Sequence, residues 1–278
     1  MARFEFDPNG EIVRLIYEHD ENSQSASRRA QLGCSILGKE CAREIWYSFR
    51  WASRIVWEGR MLRLFSRGGR EEDVLVKSLQ GIGCEVWDVD PRTWEQFRVK
   101  FASGHIGGSA DGVCRGVPGA PDTPHLVEFK THNDRSFKDM KAKGLADSKP
   151  QHLIQMQLYM KGLKLKRGLY VAVNKNNDEL YTERISYHAG MANQYLERGK
   201  DIVASDRPPP KISQRPDWYK CKFCNFSEQC HYDVPLNKNC RTCESVEVHD
   251  EGQWVCGLDG DKLPLDKQRN GCERWQSV

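Results

Sequence analysis

Any fold proposed for this chain has to accommodate the octet HLVEFKTH at residues 125–132. Leu126, Val127 and Phe129 mark a buried strand, yet Glu128 and Lys130 interrupt it two residues apart. Strand side chains alternate, so Glu128 and Lys130 project from one face and Val127 and Phe129 from the other. An isolated E-x-K pair reads as two solvated charges on a half-exposed strand. The preceding stretch GGSADGV shifts that balance, because it places Asp111 near the end of a neighbouring strand. A hairpin would set Asp111 beside Glu128. Two carboxylates meeting at a sheet require a cation or a proton, and an oxygen-rich acidic site suits Mg²⁺ or Mn²⁺.

The 278 residues suit one large domain or two modest ones. A net charge of +3, from 42 basic and 39 acidic residues, excludes a purely electrostatic DNA binder but allows a local basic groove. There is no apolar run long enough to span a membrane and no apolar core of a signal peptide, so a cytoplasmic protein without membrane contact is expected. Residues 1–33, with ENSQSASRRA, read as an extended or partly disordered leading segment. Residues 39–82 carry helical periodicity in AREIWYSFRWASRIVW, where Trp46, Trp51 and Trp57 would pack a helix, and in REEDVLVKSLQGIG, which Gly81 and Gly83 stop. The period then becomes two: CEVWDVD, QFRVKFAS, GHIGGSADGV and HLVEFKTH read as successive strands, with PGAPD as a loop. Residues 134–162 return to helix, with Pro150 opening PQHLIQMQLYMKGL. GLYVAVNK and ELYTERIS add two strands and GMANQYLERGKDIVAS a helix. The expected fold class is α/β, a mixed central sheet flanked by helices.

The order G-x-x-D then E-x-K resembles the PD-(D/E)XK nucleases. Gln155 and Tyr159, four apart on one helix face, match the Q-x-x-x-Y motif of the RecB-like branch. In RGGREEDVL, spacing from Gly68 favours Glu72 over Glu71 as the upstream acid, at a position where that branch often has His. The resemblance implies a restriction-endonuclease-like core and a set of roles. Asp111, Glu128, the Phe129 carbonyl and Glu72 would bind Mg²⁺ or Mn²⁺. Lys130 would orient or deprotonate the attacking water, and a nearby metal would push it towards neutrality. Gln155 would position Lys130 or the scissile phosphate, and Tyr159 would support the substrate strand.

Seven of the eleven cysteines lie in the last 58 residues, and in a cytoplasmic protein metal binding is a better reading than disulfides. Cys221-x2-Cys224-x5-Cys230 lacks a fourth ligand, which His231 could supply to zinc. The resemblance offers another solution. AddB-type and CRISPR-adaptation nucleases hold a [4Fe–4S] cluster with one early cysteine in a C-x-R helix start, matched here by Cys41 and Arg43. On that basis Cys41, Cys221, Cys224 and Cys230 would hold one cluster, structural in purpose. Cys240-x2-Cys243-x12-Cys256-x15-Cys272, with CESVEVHDEGQWVC alternating like a hairpin, reads as a zinc ribbon in which His249 could replace one cysteine. Cys34, Cys84 and Cys114 receive no role.

The expected divisions are a leading segment 1–33, a nuclease core 34–205, a Pro-rich linker 206–220, an iron–sulfur segment 221–239 and a zinc-ribbon-like tail 240–278. From about Gly33 to Trp275 the whole resembles phage-encoded members of the superfamily, which implies a DNA exonuclease in recombination, replication or end processing. A nicking or structure-specific endonuclease and an idle, metal-stabilised DNA-binding module are the alternatives. No G-x-x-x-x-G-K-[ST] motif is present, so a helicase or recombination partner would be a separate protein. Arg135, Lys138, Lys141 and Lys143 follow the E-x-K strand and would form a strand-tracking patch. His105, His125 and His132 flank the site and are assigned nothing.

Overall fold

A computed structural model describes residues 10–24 and 29–278. Helix α1 (Glu11–Asn22) and the short strand β1 (Leu32–Gly33) replace the expected irregular leader, and part of ENSQSASRRA lies outside the described residues. Helix α2 (Ala42–Phe49) stops sooner than the periodicity suggested. The chain leaves it through Trp51, held at φ 55°, and helix α3 (Gly59–Gly81) begins only at Gly59, where a side chain would strike the backbone of Tyr17 on α1. Trp51 is therefore a loop residue, and its indole serves the tail described below.

The strands run β2 (Glu85–Trp87), β3 (Val89–Asp90), β4 (Glu95–Gln96), β5 (Arg98–Phe101), β6 (Ile106–Ser109), β7 (Gly112–Arg115) and β8 (His125–His132). GHIGGSADGV is thus two strands, not one. β6 pairs with β1 and β5 in a three-stranded sheet, whereas β7 joins a five-stranded sheet ordered β10-β9-β8-β7-β2. Here β9 is Arg167–Asn174 and β10 is Leu180–Ser186. Only the β8–β9 pair of that sheet is parallel, bridged by helices α4 (Asp134–Ser148) and α5 (Pro150–Leu163). The single helix expected over 134–162 is split where Gly144 takes φ 76° and Pro150 starts the next. Helix α6 (Ala189–Ala204) completes the core.

β8 is central and buried on both faces. Val127 and Phe129 pack with Leu169 and Val171 against Leu75 and Leu79 of α3, while Leu126 belongs to the larger core with Ile154, Met156 and Leu158 of α5. Each such side chain contributes roughly 1.5–3 kcal/mol. Glycine at 108 is required by packing: a Cβ there would stand 2.6 Å from the Tyr159 hydroxyl, so α5 lies directly on β6.

Beyond α6, the short helices α7 (Tyr219–Lys222) and α8 (Ser227–His231), the hairpin β11 (Val246–Val248) with β12 (Trp254–Cys256), and α9 (Leu265–Asn270) form the tail. Its anchor is Arg241, wholly buried. Its guanidinium lies 3.8 Å from the Trp51 ring centroid and donates to the carbonyls of Phe49 (3.1 Å) and Ala30 (2.9 Å) and to Gln268 (2.8 Å). Arg50 stacks on Trp254 of the tail and donates to the Arg241 carbonyl at 3.2 Å. A planar, weakly hydrated cation with five donors suits this cage, and lysine would not fill it. Arg241→Ala is expected to lower unfolding free energy by about 3 kcal/mol, because it strands several buried acceptors. Arg241→Lys should recover little of that loss in urea denaturation.

Candidate active site

The switch from β6 to β7 places the first acid. The Ala110 amide still bonds to the Phe97 carbonyl beside β5, and two residues later Gly112 is already in register with Val127 of β8. Asp111 sits at the seam, and its Oδ2 accepts the Phe129 amide at 2.8 Å. A carboxylate thereby takes the place a strand carbonyl would have filled.

Glu128, from the centre of β8, is fully buried. Its Oε1 accepts from Lys130 Nζ and from Gln155 Nε2 (2.7 Å), one helix layer away on α5. Its Oε2 is buried and has no partner among the described residues, a costly arrangement that native interiors avoid unless a water, proton or ion completes it. Lys130 Nζ also donates to the Phe129 carbonyl at 3.0 Å and lies 3.9 Å from Asp111 Oδ2. The ammonium therefore meets the oxygens of Glu128, Phe129 and Asp111, and stands as one positive charge where a divalent cation would find its ligands. With the orphaned Oε2, this makes the donor set chemically fit for Mg²⁺ or Mn²⁺. As arranged, no group of three or more His, Cys, Asp or Glu side chains among the described residues forms a ready metal site.

Electrostatics agree with the geometry. Burial pushes the Glu128 carboxyl up to about 7, Lys130 opposes the rise, and Asp111 adds to it. Burial pulls Lys130 down, but the charges of Glu128 and Asp111 outweigh it and hold its proton more tightly than usual. This balance is that of the protein alone; the push towards neutrality expected from a neighbouring metal belongs to the loaded site. Glu72 is raised by burial and by Asp111 while Lys130 opposes, so its carboxyl lies in the field of the same group. Glu71 instead faces Arg67 at 3.8 Å. Tyr159 is buried against Gly108, which puts it inside the core and away from any strand on the surface.

The expected patch on α4 is largely neutralised. Lys138 pairs with Asp134, Lys141 with Glu179, and Lys143 and Lys149 with Asp139. A buried group absent from the motif reading lies behind Glu128, whose register partner is Tyr170. The Tyr170 hydroxyl meets His132 Nε2 at 2.8 Å and His152 Nδ1 at 2.9 Å. With one proton it donates to one imidazole and accepts from the other. Only the β8–β9 register reveals this trio; no local sequence pattern does.

The cysteines gather as two sets. Cys41 caps α2, its Sγ accepting the Glu44 amide at 3.4 Å, and with Cys221, Cys224 and Cys230 it lines a cavity of about 460 Å³ that His152 and His231 share. Burial pushes Cys224 up to about 11 and raises Cys221, with Cys230 and Cys41 adding to the latter. Cys240, Cys243, Cys256 and Cys272 line a smaller cleft closed by Trp275. His249 does not line it; its Nε2 faces Glu247 at 3.0 Å, so it is no substitute ligand. All eleven thiols are free.

No family model matches the chain, and no curated protein does. Among solved structures, SSO0001 aligns at 16% identity and TM-score 0.46, over 78% of this chain and 94% of its own. The alkaline exonuclease LHK-Exo from Laribacter hongkongensis aligns at 16% and 0.46, over 64% and 89%. A phage-related exonuclease from Haemophilus somnus 129PT aligns at 16% and 0.43, over 62% and 91%. No helix among the described residues is long and apolar enough to cross a membrane.

The histidines give a pH signature. Burial lowers His132 to about 4 and His152 to about 3, aided by Lys149 and Lys130, against 6.5 in the unfolded chain. Between these values the unfolded chain binds more protons, so stability is complete above about pH 6.5 and falls as pH drops. His132 alone should remove about 2 kcal/mol between pH 7 and pH 5. Urea denaturation across that range measures it, and His152→Gln should flatten the slope.

Proposed function

We propose that the chain is a metal-dependent deoxyribonuclease, acting as an exonuclease in DNA recombination, replication or end processing, and phage-encoded, a reading that rests on the resemblance of the whole core-and-cysteine arrangement. The observation that carries this is the buried Glu128 carboxylate, half satisfied, facing Asp111 and Lys130 at a sheet seam. Asp111, Glu128, the Phe129 carbonyl and Glu72 would hold Mg²⁺ or Mn²⁺. When bound, such an ion acidifies a water and offsets charge on the phosphoryl oxygens. Gln155 holds Glu128 Oε1 in orientation. Lys130 Nζ, freed from the acids it now bridges, would hold the attacking water and take its proton. Tyr159 sets the distance between α5 and β6 and supports the site only indirectly.

In the same reading Cys41, Cys221, Cys224 and Cys230 hold a [4Fe–4S] cluster, with zinc as the alternative, and Cys240, Cys243, Cys256 and Cys272 hold Zn²⁺. The four cysteines of the first set line one cavity together with charged, aromatic and histidine side chains, and that set joins the start of α2 to residues 221–230, where metal binding would add directly to folding energy.

With Mg²⁺ or Mn²⁺ the protein should degrade end-labelled linear DNA and spare covalently closed circles. Nicking of circles would instead indicate an endonuclease, and DNA retention in a gel without cleavage an idle binding module. Lys130→Ala and Asp111→Asn should each reduce cleavage by a factor of about 10³ or more while folding persists. Normal cutting by Lys130→Ala would displace the site. Anaerobically purified protein should be brown, absorbing near ~400 nm, and Cys224→Ser should bleach it; a colourless protein with two zinc ions per chain would replace iron by zinc.

A further inference from the structure

Helix α3 carries arginines at 60, 63, 67 and 70, a spacing that sets all four along one stripe. They line a groove of about 520 Å³, whose other wall is Asp20, Ser23 and Gln24 from the end of α1. Arg63 faces Asp20 at 3.5 Å, and Arg67 reaches Glu71 at 3.8 Å and the Lys175 carbonyl at 3.0 Å. Arg70 is held along the groove by Ser66 Oγ at 3.0 Å. Among the described residues, four guanidinium groups meet the carboxylates of Asp20 in the lining and Glu71 beside Arg67, so the groove stays net positive.

A second observation concerns Gly68 and Gly69. Both lie inside the helix with ordinary backbone, and a Cβ at either would meet nothing within 4 Å. Glycine weakens a helix interior, and nothing within the described chain requires it here. Bare helix backbone does admit the close approach of a ligand. At about 100° per residue, Gly69 falls between Glu72 and the edge of the groove at Ser66 and Arg70. Along the axis, Arg60 is about 18 Å and Arg70 about 3 Å from Glu72, a span of a few nucleotides.

We propose that single-stranded DNA is led to the Glu128 site through this groove, with phosphates on Arg60, Arg63 and Arg70 and the strand crossing α3 over Gly68 and Gly69. This rests on the nuclease reading. Guanidinium forks match phosphate oxygens, and the concave, polar groove fits a strand better than a flat anionic surface.

The test uses the full metal-replete chain, Ca²⁺ in place of Mg²⁺, and a labelled 20-nucleotide oligothymidylate followed by fluorescence anisotropy across a salt series. Replacing Arg60, Arg63 and Arg70 together by Ser should weaken binding about tenfold or more at moderate salt. It should also reduce the slope of log affinity against log salt by about two, at roughly 0.7 per lost phosphate contact. Gly69→Leu should raise the thermal midpoint yet weaken binding, a pairing that a purely structural glycine would not produce. With Mg²⁺, hydrolysis of the p-nitrophenyl ester of thymidine 5′-monophosphate, too short to reach the groove, should be unchanged in both variants. Unchanged oligonucleotide affinity and slope, with ester hydrolysis intact, would overturn the groove and leave the nuclease standing. Altered slope in a protein that hydrolyses neither substrate would support the groove and defeat the nuclease. Loss of binding to anionic lipid vesicles, with oligonucleotide binding unaffected, would also overturn it, in favour of a membrane-facing surface.

Discussion

The hydrogen bond from the Phe129 amide to Asp111 decides where everything else at the site can stand. β7 begins at Gly112, so the β8 backbone at Phe129 has no strand partner on that side. A side-chain carboxylate fills the position. That single bond brings Asp111 to Glu128 across the hairpin, turns the Phe129 carbonyl towards Lys130, and marks the line where the chain passes from one sheet to the other. The buried charges are tolerable because each has a partner: Lys130 bridges the acids, and Gln155 holds Glu128 from the opposite layer. Removing one member would leave the others uncompensated in a low-dielectric interior.

Much of this was legible along the chain. Period-two alternation found β8, β9 and β10, and the proline at 150 found the start of α5, because those signals are local. The approach of Asp111 to Glu128 follows from a hairpin, also a local inference. The division of GHIGGSADGV between two sheets did not show, because a strand that changes partner keeps its alternation. α3 was read from residue 70 onward, since two glycines mid-helix hid its first half, and with it the arginine stripe. α2 looked longer than it is, because Trp51 is buried by Arg241, 190 positions away in sequence, and not by a neighbouring turn of helix. The Tyr170 trio and the neutralised lysines of α4 likewise depend on register and on partners far along the chain.

The first cysteine cavity and the arginine cage meet one short helix. Cys41 caps the start of α2, while Arg241, lying between Cys240 and Cys243, bonds to the Phe49 carbonyl at its end. The tail thus holds α2 near its start, where Lys220 pairs with Glu40, and at its end through Arg241, while α2 itself packs on α6 and on β1 of the three-stranded sheet.

This grip orders events during synthesis. α2 emerges from the ribosome early, but Trp51 and Phe49 find their cover only once Arg241 and Trp254 have been made. Until those residues are made the nascent chain carries an uncovered aromatic face, so this layer closes only after residue 254 has emerged, and a product truncated before it would present a sticky surface to chaperones.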